Sequence, residues 1–165
     1  MRRPHWLIPT MGAVVLQVVE IARADTPPLC TVQQQKLVAS DAVSGDELGS
    51  AVALHGTRAA AVAGGEVYVF ERAGFDWVED TQLAPADGQL IRADANGSGP
   101  AIALDGDTLV AGSQDAPPGG AVYVFVKSGG AWSQQQKLQD VTGLPNDSFG
   151  AAVALDGDTL LVGAL

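Results

Sequence analysis

Four short segments recur in a fixed order along this chain, and that repetition limits the possible folds more than any other feature of the sequence. Ala51-Val52-Ala53-Leu54 is matched by Ala101-Ile102-Ala103-Leu104 and by Ala152-Val153-Ala154-Leu155, at spacings of 50 and 51 residues. A polar step and an apolar run follow: Asp105-Gly106-Asp107-Thr108-Leu109-Val110-Ala111-Gly112 returns as Asp156-Gly157-Asp158-Thr159-Leu160-Leu161-Val162-Gly163. Val67-Tyr68-Val69-Phe70 returns as Val122-Tyr123-Val124-Phe125. The fourth segment runs from Trp77 to Gln82-Leu83 and again from Trp132 to Lys137-Leu138, and its end also appears ahead of the others as Gln33-Gln34-Gln35-Lys36-Leu37.

Each run is short, rich in Val, Leu and aromatic residues, and bounded by Gly, Asp, Asn or Pro, which predicts strands. Asp-Gly between two apolar runs predicts a two-residue hairpin, because glycine accepts the positive φ such turns need. Helix fails for the alanine-rich runs: Leu54 is followed within two residues by Gly56, and Leu104 by Asp105-Gly106, too soon for a stable helix. Four antiparallel strands repeated every ~50 residues are the pattern of propeller blades packed face to face around an axis. The expected fold is therefore all-β, an incomplete β-propeller of about two and a half four-stranded blades. The blades fall at 49–84 and 100–139, with a partial third at 149–165. Strands near the axis should be small, apolar and buried on both faces. Residues 32–38 read as an outer strand arriving before its own blade, as when an N-terminus closes the last blade of a ring, so the chain is expected to be part of a longer propeller.

These residues resemble FG-GAP repeats, the blades of the seven-bladed head of integrin alpha chains and of many bacterial surface proteins. In the last repeat Phe149-Gly150 opens the first strand and Gly163-Ala164 closes the second, with Leu165 where the family has proline. The earlier repeats open at Leu48-Gly49 and Ser98-Gly99 and close at Val62-Ala63 and Gly112-Ser113. The resemblance covers Val32 to Leu165 and implies a non-catalytic, extracellular or cell-surface module for protein binding or adhesion. Many such blades carry a calcium cage of the form Asp-x-Asp-x-Asp-Gly between their first two strands. This sequence departs from that pattern, having only His55-Gly56-Thr57, Asp105-Gly106-Asp107 and Asp156-Gly157-Asp158 there. Two carboxylates beside a tight turn fall short of the six to eight oxygens calcium takes, so these aspartates read as turn residues.

Ahead of the repeats, residues 1–24 have the parts of an export signal: Arg2 and Arg3, an apolar stretch from Leu7 to Val19, and Ala22-Arg23-Ala24 as a cleavage site after Ala24. A membrane anchor is the competing reading. Pro9, Gln17 and Glu20 interrupt the apolar run, which is shorter than the ~20 residues a span needs. Residues 25–31 then form a flexible mature N-terminus, and the mature chain is expected to be secreted or displayed at the cell surface with no membrane span. The whole chain has 9 basic and 19 acidic residues; without Arg2, Arg3, Arg23 and Glu20 there remain 6 and 18, a net charge of −12. Such a surface repels phosphate backbones, which argues against nucleic acid as a partner. Cys30 is the single cysteine, so no internal disulfide can form.

No nucleophile elbow, phosphate loop, dinucleotide fingerprint or His-Glu-x-x-His motif occurs, and His55, alone in the mature chain, reads as a solvated turn residue. The chain is accordingly expected to be no enzyme and to need no cofactor, with calcium the one ion worth considering. The candidate metal ligands are Asp41, Asp46, Asp94, Asp140 and Asp147, with Glu47 and Asp87 beside them. All lie in the loops 40–47, 86–99 and 139–148, which successive blades should bring to one face. Acidity there also follows from simple solvation. Asn96-Gly97-Ser98 and Asn146-Asp147-Ser148 fit the N-glycan acceptor pattern. Three functions fit: an adhesion or binding module, a propeller appended to a secreted enzyme, or a relic of a longer gene; the protein partner or extracellular ligand stays unidentified.

Overall fold

The computed structural model describes residues 16–19, 33–92, 99–140 and 147–164, and among them every regular element is a strand. The first blade is an antiparallel sheet of β3 (Val52–His55), β4 (Arg58–Ala63), β5 (Glu66–Ala73) and β6 (Asp76–Leu83), in that order. The second repeats it with β7 (Ala101–Asp105), β8 (Thr108–Ser113), β9 (Ala121–Ser128) and β10 (Ala131–Leu138). A two-stranded sheet of β11 (Ala152–Asp156) and β12 (Thr159–Gly163) holds the first two positions of a third blade.

The hairpins are as tight as the sequence requires. His55 pairs with Arg58, Asp105 with Thr108 and Asp156 with Thr159, leaving two residues in each turn. Gly106 and Gly157 take φ of 55° and 54°, a conformation that costs an L-residue about 1–2 kcal/mol. In the meander these turns and those at Gly74-Phe75 and Gly129-Gly130 share one end of the sheets, here the turn face. The connections between blades share the other, the loop face.

Alternation along each strand divides the side chains between two neighbours. In β5 and β9 the tyrosine and phenylalanine point back toward the preceding unit, and in the first blade the valines Val67 and Val69 point forward to the next. Thus Ala60, Val62, Val67 and Val69 of the first blade meet Leu104, Leu109, Ala111, Tyr123 and Phe125 of the second in one buried cluster. The opposite face of the first blade, with Ala59, Ala61, Tyr68, Phe70 and Trp77, is covered by Leu37, Ala39 and Leu48. The second strands β4 and β8 are buried on both faces, as expected of strands near an axis. The first strands differ with their place in the stack: Leu104 is 9% exposed, whereas its counterpart Leu54 is 66% exposed and Val52 53%. Leu161 is 68% exposed although its counterparts Ala60 and Val110 are fully buried. The pattern is uniform; what changes is whether a neighbouring sheet stands against it.

The leading segment forms a hairpin of its own. Strand β1 (Leu16–Val19) pairs antiparallel with β2 (Gln33–Leu37). Leu37 stands opposite Leu16 just as Leu83 stands opposite Val67 and Leu138 opposite Val122. The register then slips at one place in all three: Gln34, Asp80 and Gln135 are each the extra residue of a bulge. The pair β1–β2 therefore reproduces the third and fourth strands of a blade. Leu16–Val19 belongs to the stretch read above as the apolar part of a leader; the cleavage site and residues 25–31 lie outside the described residues.

Candidate functional site

Two features set the chemistry of the molecule: the seams between blades and a cleft on the loop face. At the turn face each seam is locked by the last residue of a first strand, whose side chain accepts a hydrogen bond from the turn glycine of the next blade. The Gly106 N–H donates to Nδ1 of His55 at 2.5 Å, and the Gly157 N–H donates to Oδ2 of Asp105 at 2.6 Å. Arg58 crosses the same seam to Oδ1 of Asp107 at 2.5 Å and to the Gly106 carbonyl at 2.9 Å. The Asp105-Gly106-Asp107 step thus serves as more than a turn: its first and last carboxylates tie one blade to another. His55 Nδ1, which accepts the Gly106 N–H, also lies 2.8 Å from Oδ1 of Asp105.

Further out, Lys127 of β9 lies between Glu71 at 2.8 Å and Asp80 at 2.9 Å, both on the first blade. Asp80 is the bulge residue of β6, and it also accepts from the Trp132 indole at 3.2 Å. Hydrogen bonds to Glu71 and Asp80 raise the Lys127 ammonium above the ordinary lysine value, outweighing the opposite push of its burial. At the loop face Tyr68 donates to Asp41 at 2.8 Å, and Tyr123 stands 3.3 Å from Oδ2 of Asp87. Burial first, and then the neighbouring carboxylate, push both phenols far above the ordinary tyrosine range. Asp87 is itself raised by burial, but Lys137 at 2.8 Å, the Gln89 N–H and Tyr123 more than reverse this and hold it below the usual carboxylate range.

The cleft opens between the first and second blades on the loop face, with a volume of about 820 Å³. Asp46, Glu47 and Arg92 give it charge, Val62 and Ile91 give it an apolar floor, and Gly64, Gly65 and Gly99 line it with backbone. Asp46 is fixed by two bonds of its loop: its carboxylate accepts the Val43 N–H and its carbonyl accepts the Gly64 N–H, each at 2.7 Å. Glu47 has φ of 54°, and the corresponding residue before the opening of the third repeat, Ser148, has 50°. Non-glycine residues in that region cost energy, so the loop entry is a strained position used twice.

The candidate ligands are scattered by this arrangement. Asp41 is held by Tyr68 and Gln82, Asp46 lines the cleft, and Asp140 and Asp147 are each engaged with a neighbour. Asp94, Asn96 and Asn146 lie outside the described residues. Among the described residues no three His, Cys, Asp or Glu side chains gather where one ion could hold them. Sequence reasoning passed over Asp105, Asp107 and His55 as inter-blade ties, although their shared place in the repeat was a signal. It also had no means of seeing that a bulge would turn Asp80 toward the next blade. Among the described residues no helix is long and apolar enough to cross a membrane.

Stacked four-stranded meanders with equivalent seams define the class: a repeat protein built of propeller-type blades. A family model described as FG-GAP repeat matches residues 31–70 and 132–165, so those stretches are similar to FG-GAP repeats. The first match runs from the β2 region to β5 and the second from β10 to β12. Each therefore joins the outer strand of one unit to the inner strands of the next. Repeats of this family are generally non-catalytic binding modules, typical of extracellular or cell-surface proteins. No curated protein matches the chain.

Proposed function

We propose that this chain is a non-catalytic, extracellular or cell-surface module that binds a protein partner through its loop face. The cleft of about 820 Å³ between the first two blades carries the reading. It joins an apolar floor of Val62 and Ile91 to a rim bearing Asp46 and Glu47, which suits an apolar side chain flanked by a basic one. The net charge of −10 would speed the approach of a basic partner. An array of peptides of varied charge, probed with the whole chain, tests this. Saturable binding to basic, apolar-anchored peptides, weakened severalfold by Glu47→Gln and by raised salt, is expected. Uniform weak adsorption unaffected by Glu47→Gln would oppose the reading.

Export by cleavage after Ala24 belongs to the same proposal. Such a cut would remove β1 and leave β2 held to Trp77 by Gln35, whose side chain donates to the Trp77 carbonyl at 2.8 Å and accepts its N–H at 2.6 Å. N-terminal sequencing of the exported chain should then begin at Asp25; a start upstream of Leu16 would place β1 in the folded protein.

A further inference from the structure

In β5 the Arg72 N–H donates to the Thr57 carbonyl, and in β9 the Lys127 N–H donates to the Asp107 carbonyl, each at 2.8 Å. Both residues thus turn their backbone away from the outer strand. Their partners in that strand, Trp77 and Trp132, therefore direct N–H and carbonyl outward from the sheet. Hydrogen bonding alternates along an antiparallel ladder, so Gln134 does the same, just ahead of the bulge at Gln135.

The first blade covers this position and the second leaves it open. The Gln35 carboxamide, reaching across from β2, accepts the Trp77 N–H at 2.6 Å and donates to its carbonyl at 2.8 Å. Gln35 stands two residues before Leu37; the corresponding residue of β6, two before Leu83, is Thr81. Threonine has no carboxamide, and the Thr81 hydroxyl meets the Gln82 carbonyl at 3.4 Å. Among the described residues no side chain meets the Trp132 N–H or carbonyl, although Asp80 holds its indole. The cover comes from the preceding unit: the second blade, complete beside the first, adds nothing at Trp77. The opening at Trp132 is therefore set by Thr81 and not by what stands forward of β10.

Charge separates the two outer strands as well, and charge is a common guard on sheet edges. Strand β6 carries Asp76, Glu79 and Asp80, whereas β10 has one charged residue, Lys137, which Asp87 holds at 2.8 Å. We propose that β10 receives an extended peptide segment of a partner protein, which becomes a fifth strand of the second blade. The segment runs antiparallel to β10. Its residue opposite Trp132 exchanges both main-chain bonds, the pair that Gln35 supplies to Trp77, and its residue opposite Gln134 exchanges two more. The bulge at Gln135 ends the pairing, so the recognised stretch is short. Residues paired across strands share a face, which sets the partner residue opposite Trp132 beside the indole and Asp80. A β-branched side chain suits the ring there, and a flanking lysine suits a chain of net charge −10. This surface shares no residue with the loop-face cleft.

Amide hydrogen exchange of the whole chain tests this, with a capped peptide of alternating threonine and valine ending in lysine as the probe. The Trp132 and Gln134 amides should exchange rapidly in dilute free protein and be protected severalfold at saturating peptide. Thr81→Gln, which gives the second blade the carboxamide of the first, should protect the Trp132 amide without peptide and weaken peptide binding about tenfold. Gln134→Pro removes an outward N–H that no ladder bond uses and should abolish binding, with circular dichroism verifying that the strands persist. Slow exchange of both amides in the dilute wild type would overturn the proposal, since the chain itself would then cover the edge. Protection that grows with protein concentration alone would assign the edge to a second copy and overturn it likewise. So would amides that stay unprotected at millimolar peptide, or binding that both variants leave unchanged.

Discussion

At the scale of single residues, carboxylates in this protein act mainly as fasteners. Asp41 and Asp87 each receive a buried tyrosine hydroxyl, and the pairing recurs because both aspartates sit four positions beyond the leucine that ends an outer strand, Leu37 or Leu83. This gives a pH dependence of known sign. The phenols of Tyr68 and Tyr123 have folded values above the unfolded value near 10. Their neutral forms therefore favour the native state, fully so below about pH 10, and that preference is lost as pH rises toward the folded values. Lys127, raised in the same direction, adds to the trend. We expect the melting temperature to fall above about pH 10, with tyrosinate absorbance growing in step with loss of the far-UV strand signal. Tyr123→Phe should flatten the fall. Tyrosinate forming while the strand signal is intact would contradict the assignment.

At the scale of elements, most of the fold was legible, because a fourfold pattern repeated at constant spacing leaves few alternatives. The strands, the two-residue turns and the order of the sheets follow from Asp-Gly steps and apolar runs. The candidate site was far less legible. A list of acidic loop residues says nothing of which carboxylate a tyrosine or lysine will occupy, and a bulge such as that at Asp80 leaves no mark in composition. Gly112 shows the same limit. A Cβ there would lie 2.1 Å from the carbonyl oxygen of Gly150, so the backbone of the third unit crosses directly over β8. Gly112→Ala should destabilise the chain by about 1–3 kcal/mol, as overpacking does. Hydrogen exchange should accelerate first in β11 and β12, while β3–β6 keep their protection.

At the scale of the whole molecule, repeats that touch only their neighbours have stability close to a sum of unit and seam contributions. Calcium, expected from the family in some blades, has no gathered ligand set among the described residues. Because two carboxylates beside a tight turn fall short of the six to eight oxygens calcium takes, millimolar calcium should leave the melting midpoint unchanged, since an ion bound to the native state would raise it. A rise of several degrees would point to a site in the loops around Asp94 or Asp147.

Each seam also has a direction. In the ties made by the turn glycines the acceptor lies in the earlier blade and the donor in the later one, His55 before Gly106 and Asp105 before Gly157. During synthesis, which delivers the N-terminal part first, every new hairpin emerges to find its anchoring atom already in position. The molecule is suited to growth by accretion on the ribosome, and a permuted chain that supplied the later blade first would have to build without that template.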